Sequence, residues 1–154
     1  MKNLLLASFL FLFGIQVFAQ STEIRNAYRE ATKSEENAKA FYQHVKDASE
    51  SDAAVMMAYK GAGKTLLARY APLLDRKGKI KDGISWIENA VKKSPNDVEV
   101  RLIRLSIQEN LPKLFKYNDD IESDKKFIKE AMLHIKDKEL LEMINGYFED
   151  FSQK

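Results

Sequence analysis

The residues that come nearest to a chemical motif are Gly61-Ala62-Gly63-Lys64-Thr65, whose order matches the end of a phosphate-binding loop. The full pattern, G-x-x-x-x-G-K-[ST], also requires a glycine five positions before Gly63, and Ala58 stands there. It requires a strand before the loop as well, so that backbone N–H groups can curl round the phosphates. Ala53 to Lys60 is instead Ala-rich and helical in period. Gly61 to Thr65 therefore reads as a false P-loop, with Gly61 on a stripe of small residues along a helix.

Other reactive types are sparse. His44 and His134 stand far apart, with no acid at helical spacing aimed to share a metal, and each sits at the edge of an apolar helix face. The chain has no Cys, which excludes disulfides, thiolate nucleophiles, Cys-ligated metals and a lipoprotein-type lipid anchor. No H-E-x-x-H, nucleophile elbow or Ser-Lys arrangement is present. Asn118 to Asp124 concentrates acid, but it lacks the alternating ligands, central Gly and terminal Glu of a calcium loop. Acid at a helix N-terminus accounts for it, leaving at most a weak cation site at Asp119–Asp124. No cofactor or metal is expected, and no catalytic residue is assigned.

The candidate partner-binding residues are Trp86, Arg101 and Arg104. Trp86 lies at the edge of the Ile84/Ile87 stripe, where its ring can be part exposed. Arg101 and Arg104 project between two apolar stripes of one helix, placed to reach a carboxylate of a partner or to salt-bridge a neighbouring helix.

These residues must be positioned by helices. Only three Pro and six Gly occur in 154 residues, and no stretch alternates apolar and polar side chains long enough for a sheet. Ile80, Ile84, Ile87 and Val91 follow one helical face, and a Ser-Pro-Asn-Asp break follows at Ser94–Asp97. The next helix is apolar on two sides, with Val98, Leu102 and Leu105 on one and Val100, Ile103 and Ile107 on the other. Such a helix must bury both sides, so it belongs inside a stack. Before it, Ala54, Ala58, Gly61, Thr65 and Ala68 form a small-residue stripe that lets another backbone approach closely. Leu73 to Lys81 reads as a basic loop after Pro72, and Leu111 to Tyr117 as a loop around Pro112. Ser34, Asp119 and Asp137 read as helix caps, with Glu122 completing a capping box with Asp119.

The expected fold is all-α, about seven helices in TPR-like hairpins stacked as a short irregular α-solenoid or bundle. Setting Pro95 on the closing Pro of a TPR unit places Ala71, Gly83 and Ala90 on its small positions. Lys2 followed by the apolar run Leu4–Phe13 and Val17-Phe18-Ala19 predicts a secretory signal peptide over 1–19, cut after Ala19. A membrane-spanning helix would want about 20 apolar residues, so no stable insertion is expected after cleavage. Residues 20–154 form one domain. Without Lys2 its 24 basic residues face 23 acidic ones, a net charge of +1 that argues against a nucleic-acid binder.

Three stretches carry a family resemblance: AYKGAGKTLLARY from Ala58, WIENAVKKSPNDVEVRLIRLSIQENLP from Trp86, and YNDDIESDKKFI from Tyr117. They resemble exported, TPR-like helical proteins found across Bacteroidota. The resemblance implies a diderm bacterial source and a periplasmic or secreted location, and it supplies no catalytic residues. The expected role is non-catalytic binding of a protein or peptide partner. The second reading is a small-ligand carrier or enzyme, for which Tyr59, Tyr70, His44 and an acid must gather around one cavity.

Overall fold

The computed structural model describes residues 21–152. Segment 1–19, where a signal peptide is expected, lies outside them, as does the side chain of Phe151. Among the described residues the chain is all-helical: α1 (21–30), α2 (Glu35–Val45), α3 (Ala54–Leu67), α4 (Leu73–Lys93), α5 (Val98–Asn110), α6 (Ile121–Ala131) and α7 (Lys138–Ser152). Short 3₁₀ turns follow α3 (Ala68–Tyr70), α5 (Lys113–Phe115) and α6 (Met132–His134). No helix of the described residues is long and apolar enough to cross a membrane.

Side chains at the helix starts explain several boundaries. Ser34 accepts from the Asn37 N–H, with Glu35 and Glu36 in the first turn of α2. Asp97 accepts from the Glu99 and Val100 N–H groups at the start of α5, and Asp137 does the same for Glu139 and Leu140 at α7. At α6 the expectation is corrected. Asp120, not Asp119, occupies the cap position and makes no side-chain cap bond, because its carboxylate is drawn 3.2 Å from Arg104. Glu122 stays exposed and closes no capping box.

The basic loop expected over Leu73–Lys81 is also corrected: it is the N-terminal part of α4. Pro72 starts this helix instead of stopping the chain, since a fixed φ near the helical value and a missing N–H suit a helix entrance. Arg76 Nε folds back to the Ala71 carbonyl at 2.9 Å, and Asp75 lies in the first turn.

The most extensive packing is α3 against α4, which run antiparallel. They cross backbone to backbone at two glycines. A Cβ built on Gly61 would lie 2.5 Å from the Gly83 carbonyl oxygen, and one on Gly83 would lie 2.6 Å from that of Gly61. Nothing larger than glycine fits there without moving a helix, which gives the small-residue stripe its physical purpose.

Helix α5 is the wall between two cores. Val100, Ile103 and Ile107 pack with Phe41, Tyr59, Ala62, Leu66 and Ile87 from α2, α3 and α4. Leu102 and Leu105 pack with Ile128, Met143 and Ile144 from α6 and α7. The two stripes read from the sequence thus face two separate clusters. Burying five such aliphatic side chains of α5 contributes about 1.5–3 kcal/mol each before chain entropy is counted.

Candidate functional site

The phosphate-loop reading meets a continuous helix. Gly61 to Thr65 lie inside α3, where their backbone N–H groups serve the helix. Thr65 Oγ1 donates to the Gly61 and Ala62 carbonyls at 2.8 and 2.9 Å. Lys64 Nζ lies 2.5 Å from Asp82, a bond that raises its pKa. None of these groups is presented to a phosphate.

The residues of the second reading do not gather. His44 is exposed on α2, 3.9 Å from Glu23, and Tyr70 is exposed on the turn after α3. Tyr59 alone of them meets an acid inside the protein, donating to Glu99 Oε1 at 2.5 Å. Among the described residues no cluster of three or more His, Cys, Asp or Glu is arranged to hold a metal ion.

Buried charge forms two closed networks. In the first, Arg25 of α1 grips Glu99 through Nε at 2.9 Å and Nη2 at 2.6 Å, and turns Nη1 to Asp137 at 2.8 Å. These bonds, Glu99's first, hold the Arg25 proton more firmly than usual against the opposing pull of burial. Burial and then the Glu99 charge raise the Tyr59 phenol well above its ordinary value. Burial pushes the Tyr28 phenol up to about 12, opposed by its hydrogen bond with Ser106. For Asp137 burial acts upward, but the Leu140 N–H and Arg25 outweigh it and keep the carboxyl below 3.8.

The second network accounts for Arg101 and Arg104. Arg104 is 4% exposed and makes a two-pronged contact with Asp124, itself 0% exposed, at 2.7 and 2.8 Å. Arg101 adds a 2.7 Å bond to the same carboxylate and a 2.8 Å bond to the Pro95 carbonyl. Glu88 reaches Arg104 at 3.4 Å and accepts from Tyr117 at 2.5 Å. The two arginines thus salt-bridge a neighbouring helix, α6, the second of the fates open to them. Of the acidic run, Asp120 and Asp124 are bound up in the same contacts. Trp86 is half-buried, with the Lys60 ammonium 4.1 Å from its ring centre, and packs at the edge of the first core.

What remains open lies at the other end of α5. The end of α3, the start of α4 and the segment after α5 enclose a groove of about 420 Å³. Leu66, Ile80, Ile107, Leu111 and Phe115 give it an apolar floor, and Arg69, Arg76 and Lys77 stand at its edge with no carboxylate in the lining. Arg69 and Lys77 have no hydrogen-bond or ion-pair partner among the described residues, and Arg76 engages only its Nε. Leu73, in the lining, is 78% exposed, and its chain neighbour Leu74 and Leu114, next to Phe115, are 94% and 72% exposed. Lys116, in the left-handed conformation at φ 50°, reverses the chain so that Phe115 lines the groove while Tyr117 turns to Glu88. A second cleft, about 690 Å³, shares Leu66, Arg69, Ile107 and Asn110 with the first and continues toward Tyr28 and Tyr147.

Sequence reasoning missed this groove. Leu73, Arg76 and Lys77 fall in a segment read as a loop, Leu111 and Phe115 in another, and Leu66 and Arg69 at the end of a helix, so only the adjacent Leu73 and Leu74 off the Ile80 stripe offered a signal. Trp86, Arg101 and Arg104 do not line it. No protein-family model, curated protein or solved structure matches this chain.

Proposed function

We propose that this chain is an exported, non-catalytic binding protein, a short irregular stack of TPR-like helical hairpins that receives a protein or peptide partner in the cell envelope. The observation that carries the reading is the groove between α3, α4 and α5, apolar within and bordered by Leu73, which the fold leaves 78% exposed. Exposed apolar surface of this kind is costly to leave in water and marks interaction sites. The alternative, a small-ligand carrier or enzyme with a pocket between helices, would draw on polar groups converging on that pocket. The buried polar side chains instead bind one another, Arg25 with Glu99 and Arg104 with Asp124.

The test is photo-crosslinking in the producing cell, with a photoreactive residue at Phe115 and, as control, at Trp86. A discrete adduct from the Phe115 position alone is expected. Equal adducts from both positions, or none from correctly exported protein, would overturn the reading.

A further inference from the structure

We propose that the occupant of this groove is an extended acidic peptide segment with large apolar side chains, and that Arg69 determines its specificity. The inference rests on the binding reading above and adds the chemistry of the partner.

Charge complementarity comes first. Three cations and no carboxylate line the groove, although the whole chain is nearly neutral. The buried or half-buried arginines, Arg25, Arg101 and Arg104, each have a carboxylate partner, whereas Arg69 is exposed at the groove. Arg69 and Lys77 have none among the described residues, so these exposed cations are available to an anion from outside the fold. An acidic partner supplies it, gaining both steering and discrimination against basic segments.

The second argument separates a peptide from other anions. Asn110 and Arg69 both line the wall shared by the two clefts. Its Nδ2 donates to the Ser106 carbonyl at 2.8 Å, which leaves Oδ1 turned from that bond and able to accept. Arg69 offers donors and Asn110 an acceptor to the same groove, the two kinds of partner that the alternating C=O and N–H groups of an extended chain require. A fatty-acid tail has no N–H to give. The second cleft carries Glu30, Glu142 and Asp150, which repel an acidic chain, so the segment lies in the first cleft with its apolar side chains seated on Leu66 and Ile107. A cavity of about 420 Å³ lies within the usual size of ligand sites, about 300–1,000 Å³.

The experiment is fluorescence anisotropy of the chain from Gln20 with three labelled peptides. They share their Leu and Phe positions and carry Glu, Gln or Lys elsewhere. The Glu peptide should bind about tenfold more tightly than the Gln peptide, and the Lys peptide more weakly than either. Raising the salt should erase that order. Arg69→Glu should abolish most of it while the circular dichroism stays helical, and Arg69→Lys should keep most of it. Equal binding of the Glu and Gln peptides would overturn the acidic assignment and leave the binding reading standing. Failure of all three peptides would overturn both. Binding to phosphatidylglycerol vesicles that depends on Leu74 and Arg69, without peptide binding, would make the occupant a membrane surface and also overturn the proposal.

Discussion

Two arginines, Arg104 and Arg69, divide this molecule into a closed region and an open one. Arg104 is buried against Asp124, Asp120 and Glu88, and its donors are consumed by the fold. Arg69 stands exposed beside an apolar groove with no partner among the described residues. The same contrast holds for leucine: Leu102 and Leu105 are 1% and 0% exposed, Leu73 and Leu74 78% and 94%. Residue type therefore says little about role here. A charged or apolar side chain that is satisfied internally stabilises the stack, and one left unsatisfied is available to a partner.

The largest expected effect comes from breaking the closed region. Asp124→Ala strands Arg104 and Arg101 without their shared carboxylate, and removing one member of a buried pair costs about 3–5 kcal/mol. Glu88 and Asp120, both part exposed, still face Arg104, which favours the lower end of that range. Urea denaturation reads the loss directly. A cost below about 1 kcal/mol would mean the network behaves as a surface pair, and the division would fail.

A smaller effect separates two positions of α4 and its neighbour. Gly61→Ala drives a methyl group toward a backbone oxygen 2.5 Å away, so overpacking should cost about 1–3 kcal/mol, in part offset by the better helix propensity of Ala. Gly78→Ala meets nothing within 4 Å in the open first third of α4 and should stabilise by about 0.5–1 kcal/mol. Opposite signs in paired melts are the expected outcome.

How much of this was legible in the sequence follows the same division. The two stripes of α5 and the small face of α3 were readable because burial imposes helical periodicity, and the two cores divide as those stripes do. The start of α4 was not, since Leu73 to Lys79 bury nothing and so carry no core-facing stripe before Ile80. Arg25 and Glu99 lie 74 positions apart and no local pattern pairs them. The candidate groove was hidden for a related reason: the mark of Arg69 is a missing partner, a property of the assembled chain.

At the margin between the regions, Asp137 caps α7, touches Arg25 and has a part-exposed side chain. Asn caps as well as Asp, and Arg25 keeps its two bonds to Glu99, so Asp137→Asn removes the charge and little else. The folded carboxyl titrates below its ordinary 3.8, so its contribution is present above that pH and disappears as the pH falls through the folded value. Wild type and variant should differ by less than about 1 kcal/mol near neutrality, and the gap should close in acid. A gap independent of pH would show that Arg25 does not hold this charge.

The smallest effect tests the open region itself. Arg69→Ala removes a cation that binds nothing within the described fold, so stability should stay within about 0.5 kcal/mol of wild type. Arg76→Ala should cost a little more, because its Nε ties the Ala71 carbonyl at the entrance of α4. The order matters more than either size. Denaturation midpoints placing Arg69→Ala beside Asp124→Ala would mean that Arg69 also serves the fold, and the open end of α5 would lose its claim to a partner.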